Sequence, residues 1–332
     1  MSQHFDFIAL GDIVTDAFIK LKDNQAQVVC DTEGKPCQIC MNFGDKIPYD
    51  DVVVVPAVGN SPNAAVSASR LGLKSALVTN LGDDSYGKEA IEALEKEGVK
   101  TDFVTTHADM KTNYHFVLRY GAERTILVKH EEYPYTLPDI GGPTWLYLSS
   151  LGENSLAFHQ IIGDYLNSHP EIKLAFQPGT FQMKLGLDKL KFLYEKAELF
   201  FCNKEEAQKI LQNKSDDIKT LLQAMHQTGP KISVITDGAK GAYVYDGTDC
   251  WHMPIYPDPK PPVDRTGAGD SFASTFTSSL ALGLSIPEAL KRAPINSMSV
   301  VQHIGAQEGL LTRDQLEEYL DQAPTSYQVE QI

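Results

Sequence analysis

Short apolar runs alternate with helical segments along most of this chain, and this alternation limits the possible folds more than any other feature. SALVTNLG, residues 75–82, is typical of a buried strand, and GKEAIEALEKEGV, residues 87–99, is an amphipathic helical segment that contains a glycine stop. WLYLSSL, IKLAFQP, LFFCN and ISVITDG are further strand candidates with helical segments between them. Because βαβ units align their strands in parallel, the sequence predicts an α/β fold. We expect a doubly wound, mainly parallel sheet flanked by helices, formed by residues 1–332 as one domain.

Two stretches do not follow this alternation of strands and helices. Residues 12–56 contain strand-like segments such as AFIKL and DVVVV without a long helical period, and TNYHFVLRY and RTILVKH, within residues 110–130, alternate like a β-hairpin. These two stretches are predicted to form a small β-sheet lid inserted in the main domain.

Charge and hydropathy exclude several classes of partner. The net charge of −15 argues against a nucleic acid or an anionic membrane as the main partner, although backbone amides can still bind a phosphate locally. No apolar run reaches the ~18 residues of a membrane span, and the first residues lack the basic region of a signal peptide. We therefore expect a cytoplasmic protein with a small-molecule substrate.

The five cysteines are interpreted as thiols or metal ligands, because a cytoplasmic chain rarely carries a disulfide framework. Three of them, Cys30, Cys37 and Cys40, lie close together in the predicted lid. A C-x2-C pair with a third cysteine nearby suggests structural zinc, with His107, His115 or another chain as the fourth ligand. The alternative is three free thiols.

The stretch DRTGAGDSF, residues 264–272, combines minimal side chains with two carboxylates. Gly267, Ala268 and Gly269 precede an apolar helical pattern, so their backbone amides lie at a helix N-terminus and can bind an anion. Asp270 follows at the edge of this cradle, where it can accept a proton from a hydroxyl. An anion hole beside a base is suited to phosphoryl transfer, while a plain glycine-rich helix start is the alternative.

This stretch resembles the C-terminal signature of the ribokinase-like, or PfkB, carbohydrate kinases. Asp264, Gly267, Ala268, Gly269 and Asp270 match it. The resemblance implies that Asp270 is the catalytic base and that the intervening amides bind the transferring phosphoryl group. Two positions depart from the family pattern, since Arg265 stands where Thr or Pro is usual and Thr275 where Gly or Ala is common.

The segment from Gly59 to Gly87 is similar to the family's N-terminal signature, although Ser61 stands where the family has Gly or Ala. The resemblance implies that Gly59, Asn60 and Asn63 contact sugar hydroxyls, and a helix N-cap is the alternative role for Asn63. Asp16, in GDIVTD, stands where relatives bind two hydroxyls, and two carboxylate oxygens suit a diol. A solvated loop aspartate is the other interpretation.

Further motifs extend the resemblance to the nucleotide. Asn203 and Glu206, in NKEE, resemble the motif in which the glutamate orders Mg²⁺ through water. The remaining implied nucleotide residues are Thr236, Gly238 and Gly241 of TDGAKGA, and Asn296 near the adenine. Asp264 and Thr266 are candidates for a K⁺ site. Arg124 matches a lid motif, with a solvated hairpin arginine as the alternative. Gln177 replaces an aspartate that is common in relatives.

These motifs together predict an ATP-dependent kinase that phosphorylates a primary hydroxyl of a pentose or hexose. A nucleoside kinase is the alternative, because Tyr114, Phe116 and Tyr120 of the lid could stack on a base. Packing within the strand is the other interpretation of these aromatics. A non-catalytic binding protein on the same fold is a second alternative. A dinucleotide oxidoreductase is disfavoured, since no G-x-G-x-x-G follows the first strand. We expect a homodimer that pairs through the lid.

Overall fold

The computed structural model describes residues 4–30, 37–121 and 123–332. The strands found there, in chain order, are β1 (Phe7–Leu10), β2 (Val14–Leu21), β3 (Gln27–Val29), β4 (Gln38–Cys40), β5 (Tyr49–Val58), β6 (Ser75–Gly82), β7 (Val104–His107), β8 (Tyr114–Tyr120), β9 (Glu123–Leu127), β10 (Trp145–Leu148), β11 (Lys173–Phe176), β12 (Ala197–Asn203), β13 (Ile232–Thr236), β14 (Ala242–Tyr245), β15 (Cys250–Met253) and β16 (Glu330–Gln331). The α-helices are α1 (Asn60–Arg70), α2 (Ser85–Lys96), α3 (Leu156–Ser168), α4 (Thr180–Leu185), α5 (Leu187–Tyr194), α6 (Lys204–Ile210), α7 (Ile218–Gln227), α8 (Ala268–Ala281), α9 (Ile286–Val300) and α10 (Arg313–Asp321).

Ten of these strands form the main sheet, in the order β16-β15-β14-β13-β12-β11-β10-β1-β6-β7. The strands from β13 to β7 in this order run parallel, and β14, β15 and β16 add an antiparallel edge. The chain leaves β1 toward β6 on one side and returns to β10 on the other. Such a reversal of strand order opens a crevice at the carboxyl ends of the strands, where ligands bind in doubly wound folds.

Both faces of the main sheet are buried, as β1 illustrates. Phe7 and Ala9 pack into one apolar cluster with α1, α8 and α9, whereas Ile8 and Leu10 pack into a second cluster with α3, α5 and α7. Because successive side chains of a strand point to opposite faces, one apolar run serves two layers of helices. The predicted doubly wound, mainly parallel α/β fold is confirmed.

A separate sheet of four strands, in the order β5-β2-β8-β9, is here called the small sheet. Asp16 pairs with His115 in its register, and both side chains point toward a cavity at the carboxyl ends of the main sheet. The next row, which includes Ala17 and Phe116, faces the other way. Residues 31–36, which belong to the predicted lid, lie outside the described residues.

The cysteines of the predicted zinc site are arranged differently from the prediction. β3 and β4 pair as a hairpin whose ends bring Cys30 and Cys37 together, and these two form a disulfide, while Cys40 is an exposed thiol. No group of three or more His, Cys, Asp or Glu side chains within the described ranges could hold a metal ion. The zinc prediction is wrong because two of its three thiolates are bonded to each other.

α9 is a continuous helix although it contains Pro294. A proline inside a helix removes one backbone hydrogen bond. Pro294 is buried within α9, which packs along α8. None of the helices in residues 4–30, 37–121 and 123–332 has the length and apolar character needed to cross a membrane.

Candidate active site

A cavity of about 600 Å³ lies at the carboxyl ends of the main strands, under the small sheet. A second cavity of about 290 Å³ lies beside α8 and α9, and the linings of the two cavities share Ala268 and Gly269. Of the residues predicted from sequence, the larger cavity is lined by Asp16, Gly59, Asn60, Asn63, Asn203, Glu206, Thr236, Thr266, Gly267, Ala268, Gly269 and Asp270. Gly238 and Gly241 line the smaller one, whereas neither cavity's lining includes Asp264 or Asn296.

The N-terminus of α8 lies where the two cavities meet. Gly267 caps the helix in the left-handed conformation, with φ of 81°, and a Cβ at this position would lie 2.3 Å from the Cβ of Ala306. The first intrahelical bond runs from the Ser271 amide to the Gly267 carbonyl, so the amides before it have no partner within the helix. They form a cradle that suits an anion.

Three amide side chains hold the carboxylate of Asp270. Asn60 Nδ2 donates to Oδ1 at 2.8 Å, Asn63 Nδ2 donates to Oδ2 at 2.9 Å, and Gln177 Nε2 donates to Oδ1 at 3.2 Å. Burial raises the pKa of Asp270 above its usual value, while these three hydrogen bonds and the charge of Arg124 act in the opposite direction. Asp270 is thus a fixed carboxylate with raised basicity.

Asp16 and Gly59 also line the larger cavity. Asp16 is buried, and its Oδ1 lies 3.4 Å from Nδ1 of His115. Gly59 caps α1 with φ of 124°, and a Cβ there would lie 2.8 Å from the carbonyl oxygen of Asp12. His130, whose Nδ1 is 3.2 Å from Asp12 Oδ2, also lines the cavity. The sequence singled out His115 only as a possible zinc ligand and did not single out His130. The register of β8 against β2 places His115 beside Asp16.

Asn203 and Glu206 cap each other at the start of α6. Asn203 Oδ1 accepts the Glu206 amide at 2.8 Å, and Glu206 Oε2 accepts the Asn203 amide at 2.9 Å. Burial raises the pKa of Glu206. A single carboxylate at a cavity wall fits Mg²⁺, which keeps most of its water ligands.

The smaller cavity has an apolar wall and a glycine-rich rim. Tyr256, Met298 and Pro294 contribute to the wall. At the rim, Gly241 has φ of 91°, and a Cβ there would lie 2.1 Å from the carbonyl oxygen of Met253. Arg265 lines both cavities. The apolar wall of the smaller cavity suits a flat apolar group, and the start of α8, where the two cavities meet, suits an anion.

Asn296, predicted to lie near the adenine, lines neither cavity. Its side chain is fully buried, with Nδ2 donating to Thr275 Oγ1 at 2.7 Å and Oδ1 accepting the Leu311 amide at 2.9 Å. It ties α8 to α9 and to the segment before α10. This bond also gives the unusual Thr275 a role, since a Gly or Ala there could not accept it.

Asp264 links two loops. Its Oδ1 accepts the amide of Thr266 at 3.0 Å and the Thr266 hydroxyl at 2.8 Å, and its Oδ2 accepts the amide of Gly305 at 3.0 Å. Both carboxylate oxygens are therefore engaged in holding the signature loop against the Gly305 turn.

Tyr114, Phe116 and Tyr120 do not face the larger cavity. They occupy alternate positions to His115 on β8, and Tyr114 packs against Tyr86 of α2. The suggested stacking on a base is therefore wrong. Arg124, by contrast, lines the larger cavity.

Comparison with known proteins identifies the family. Residues 38–313 match the model of the pfkB family of carbohydrate kinases. The chain belongs to the PfkB family. It is 29% identical over 278 residues to a ribokinase of Bacillus subtilis, which covers 79% of this chain and 87% of that protein. It is 26% identical over 253 residues to a nucleoside kinase of Methanothermobacter thermautotrophicus, covering 75% of this chain and 79% of that one.

Solved structures share the fold of this PfkB protein. The ribokinase of Arabidopsis thaliana, solved with ribose and ATP, superposes with a TM-score of 0.77 at 19% identity and covers 96% of this chain and 99% of its own. A nucleoside kinase of Methanocaldococcus jannaschii gives 0.73 at 17% identity, over 96% and 98% of the two chains. Family membership makes the protein a phosphotransferase with an alcohol acceptor, of the sugar and nucleoside kinase group.

Proposed function

We propose that this protein is an ATP-dependent kinase that transfers the γ-phosphoryl group to a primary hydroxyl of a pentose or hexose sugar. One observation carries the proposal: the carboxylate of Asp270 lies beside the unpartnered amides that begin α8, where the two cavities meet. A base next to an anion-binding helix end is what phosphoryl transfer to an alcohol requires.

In the proposed reaction the sugar lies in the larger cavity between Asp16 and Asp270, and ATP extends from the smaller cavity. Asp16 offers its carboxylate oxygens to two sugar hydroxyls. Asp270 takes the proton of the attacking hydroxyl as its oxygen bonds to the γ-phosphorus and the bond from that phosphorus to ADP breaks. The amides of Gly267, Ala268 and Gly269 stabilise the charge of the transferring group.

Glu206 is the residue that we propose to hold Mg²⁺ through water, with Asn203 near the phosphates. When bound, the ion neutralises charge on the nucleotide phosphates. Potassium near Asp264 and Thr266 is a further proposal from the family resemblance. Backbone carbonyls near these residues are the ligands that the family resemblance implies for it.

We expect Glu206→Gln to raise the Mg²⁺ concentration needed for half-maximal activity and to lower turnover. Glutamine can still accept the Asn203 amide, so the helix cap survives while the charge that orders the ion's waters is lost. Titration of activity with Mg²⁺ measures the effect. Glu205→Gln removes the same charge from an exposed neighbour and should change nothing. Equal Mg²⁺ dependence of the two variants would contradict the assignment.

The small sheet is proposed to act as a lid, formed from residues 12–56 and 110–130, that excludes water from the reacting groups. Its inner face contributes Asp16, His115 and Arg124 to the larger cavity. Its outer face carries a row that crosses all four strands, Val54, Ala17, Phe116 and Leu127, and three of these are large and exposed. We propose that this row is where two copies of the chain pair.

Phe116→Glu is expected to shift the protein from dimer to monomer, because it places a charge at the centre of this apolar row. Light scattering coupled to gel filtration measures the mass. Ile161→Glu changes an equally exposed side chain on α3 and should leave the mass unaltered. A wild-type protein that is monomeric at micromolar concentration would rule out the dimer.

The function itself is tested by measuring ADP release with pentoses, hexoses, keto-sugar acids and nucleosides as acceptors. The largest kcat/KM is expected with a pentose or hexose. A nucleoside as best acceptor would move the assignment to nucleoside kinase, and no ADP release with any acceptor would favour a binding protein.

A further inference from the structure

Gln177 joins the candidate base to a buried tyrosine. Its Nε2 donates to Asp270 Oδ1 at 3.2 Å, and its Oε1 accepts the hydroxyl of Tyr147. Tyr147 lies on β10 and is fully buried. Gln177 follows β11, the neighbouring strand, and its side chain lines the larger cavity. The three side chains thus form a chain of hydrogen bonds from the sheet interior to the reacting site.

Tyr147 determines which end of the Gln177 amide faces Asp270. A glutamine amide can rotate by half a turn, which exchanges its oxygen and nitrogen. Burial and the charge of Asp270 raise the pKa of Tyr147 well above its usual value, so its hydroxyl keeps its proton and needs an acceptor. Rotation would remove that acceptor and turn the amide oxygen toward the carboxylate. Only the observed orientation satisfies both neighbours.

We propose that Gln177, locked by Tyr147, is a positioning residue that orients the carboxyl group of Asp270 and keeps it ionised. A glutamine donates to the ionised carboxylate, whereas an aspartate at this position would face it with a second negative charge. Asn60 and Asn63 also donate to Asp270, but both come from α1, on the side predicted to contact the sugar. Gln177 is the donor that the sheet interior fixes in place.

Other charged side chains also line the cavity around Asp270, and substitutions of Gln177 or Tyr147 leave all of them in place. Arg124, Lys184 and Arg265 are the cations that line the larger cavity, and Arg124 favours the ionised form of Asp270. The carboxylates are Asp16 and Glu206, and the histidines are His115 and His130.

Loss of the Gln177 donor should raise the pKa of Asp270, because a hydrogen bond to the charged form favours that form. A bond to a charged group corresponds to about one pKa unit. A general base must be ionised, so the acid limb of kcat/KM, which reports the free enzyme, should move to higher pH by about one unit. Well above this limb, the variant should recover most of its wild-type activity.

The experiment compares Gln177→Leu, Gln177→Glu and Tyr147→Phe. We expect the limb to move most for Gln177→Glu, by about one pH unit for Gln177→Leu, and less for Tyr147→Phe, which leaves the donor but frees its rotation. Tyr327→Phe is the control, since this buried hydroxyl donates to the Lys291 carbonyl away from the site. A loss of activity that is equal at all pH values, with no movement of the limb, would mean a packing role and would overturn the proposal.

This inference rests on the proposed function, so a second measurement separates the two. The pKa of Asp270 can be read from the side-chain carbon signal of ¹³C-labelled aspartate in NMR titrations, with Asp270→Asn used to assign the signal. A raised value in Gln177→Leu would support the inference whatever the acceptor panel shows. An unchanged value would overturn it even if the protein proves to be an active sugar kinase.

Discussion

Asp270→Asn is expected to lower turnover by at least about a hundredfold, because general-base catalysis contributes on the order of 10²–10⁴. The variant keeps the shape of the side chain and can still hydrogen-bond the acceptor hydroxyl. It cannot take the proton from that hydroxyl at neutral pH. The acceptor KM should therefore change far less than kcat. Steady-state ADP release on the best acceptor of the panel measures both constants.

A matched substitution controls for the loss of a carboxylate from a helix start. Asp314 lies in the first turn of α10 and is exposed. Asp314→Asn should therefore leave kcat and KM as they are. Turnover of Asp270→Asn within tenfold of the wild type would contradict the assignment of the base.

Gly267→Ala is expected to reduce turnover by about a hundredfold while the acceptor still binds. The new Cβ would lie 2.3 Å from the Cβ and 2.6 Å from the Cα of Ala306, so the start of α8 must move. Loss of one donor from an anion hole costs on the order of 10²–10³ in kcat. The measurement is kcat, with the thermal midpoint as a second reading.

Gly283→Ala separates the steric contact from the cost of the left-handed backbone. Gly283 has φ of 85°, and a Cβ added there would meet only open space, so both alanines carry a backbone cost of roughly 1–2 kcal/mol. Only Gly267→Ala should lose activity. Adding Ala306→Gly removes the shorter contact and should restore part of the turnover. Equal activity of the two single variants would show that the approach to Ala306 does not matter.

The alternation of strand and helix segments was sufficient to predict the parallel sheet, because strands buried on both faces have continuous apolar runs in the sequence. Asp270, Gly267 and Gly269 could also be predicted as site residues from the sequence, because they lie within one short motif. The hydrogen bond between Gln177 and Asp270 could not be predicted, because it depends on the pairing of β10 with β11. No local pattern encodes a contact that depends on strand order.

Three further features of the structure were not predicted from the sequence. Asn296 matched the family position, but its environment depends on how α8 and α9 pack, and its amide is used there. The pairing of Cys30 with Cys37 depends on the hairpin of β3 and β4. α7 was not singled out from the sequence, although its apolar residues Leu221, Leu222 and Met225 are buried.

The hydrogen bonds of Asp270 also have a consequence for how the chain acquires activity. Its partners Asn60, Asn63 and Gln177 are 210, 207 and 93 residues away in sequence. Contacts between such distant segments carry a large loop-closure entropy and form late in folding. On dilution from denaturant, helical circular dichroism should therefore return before enzymatic activity does. We therefore expect catalytic competence to depend on the completed topology, so that its recovery reports a late step of folding.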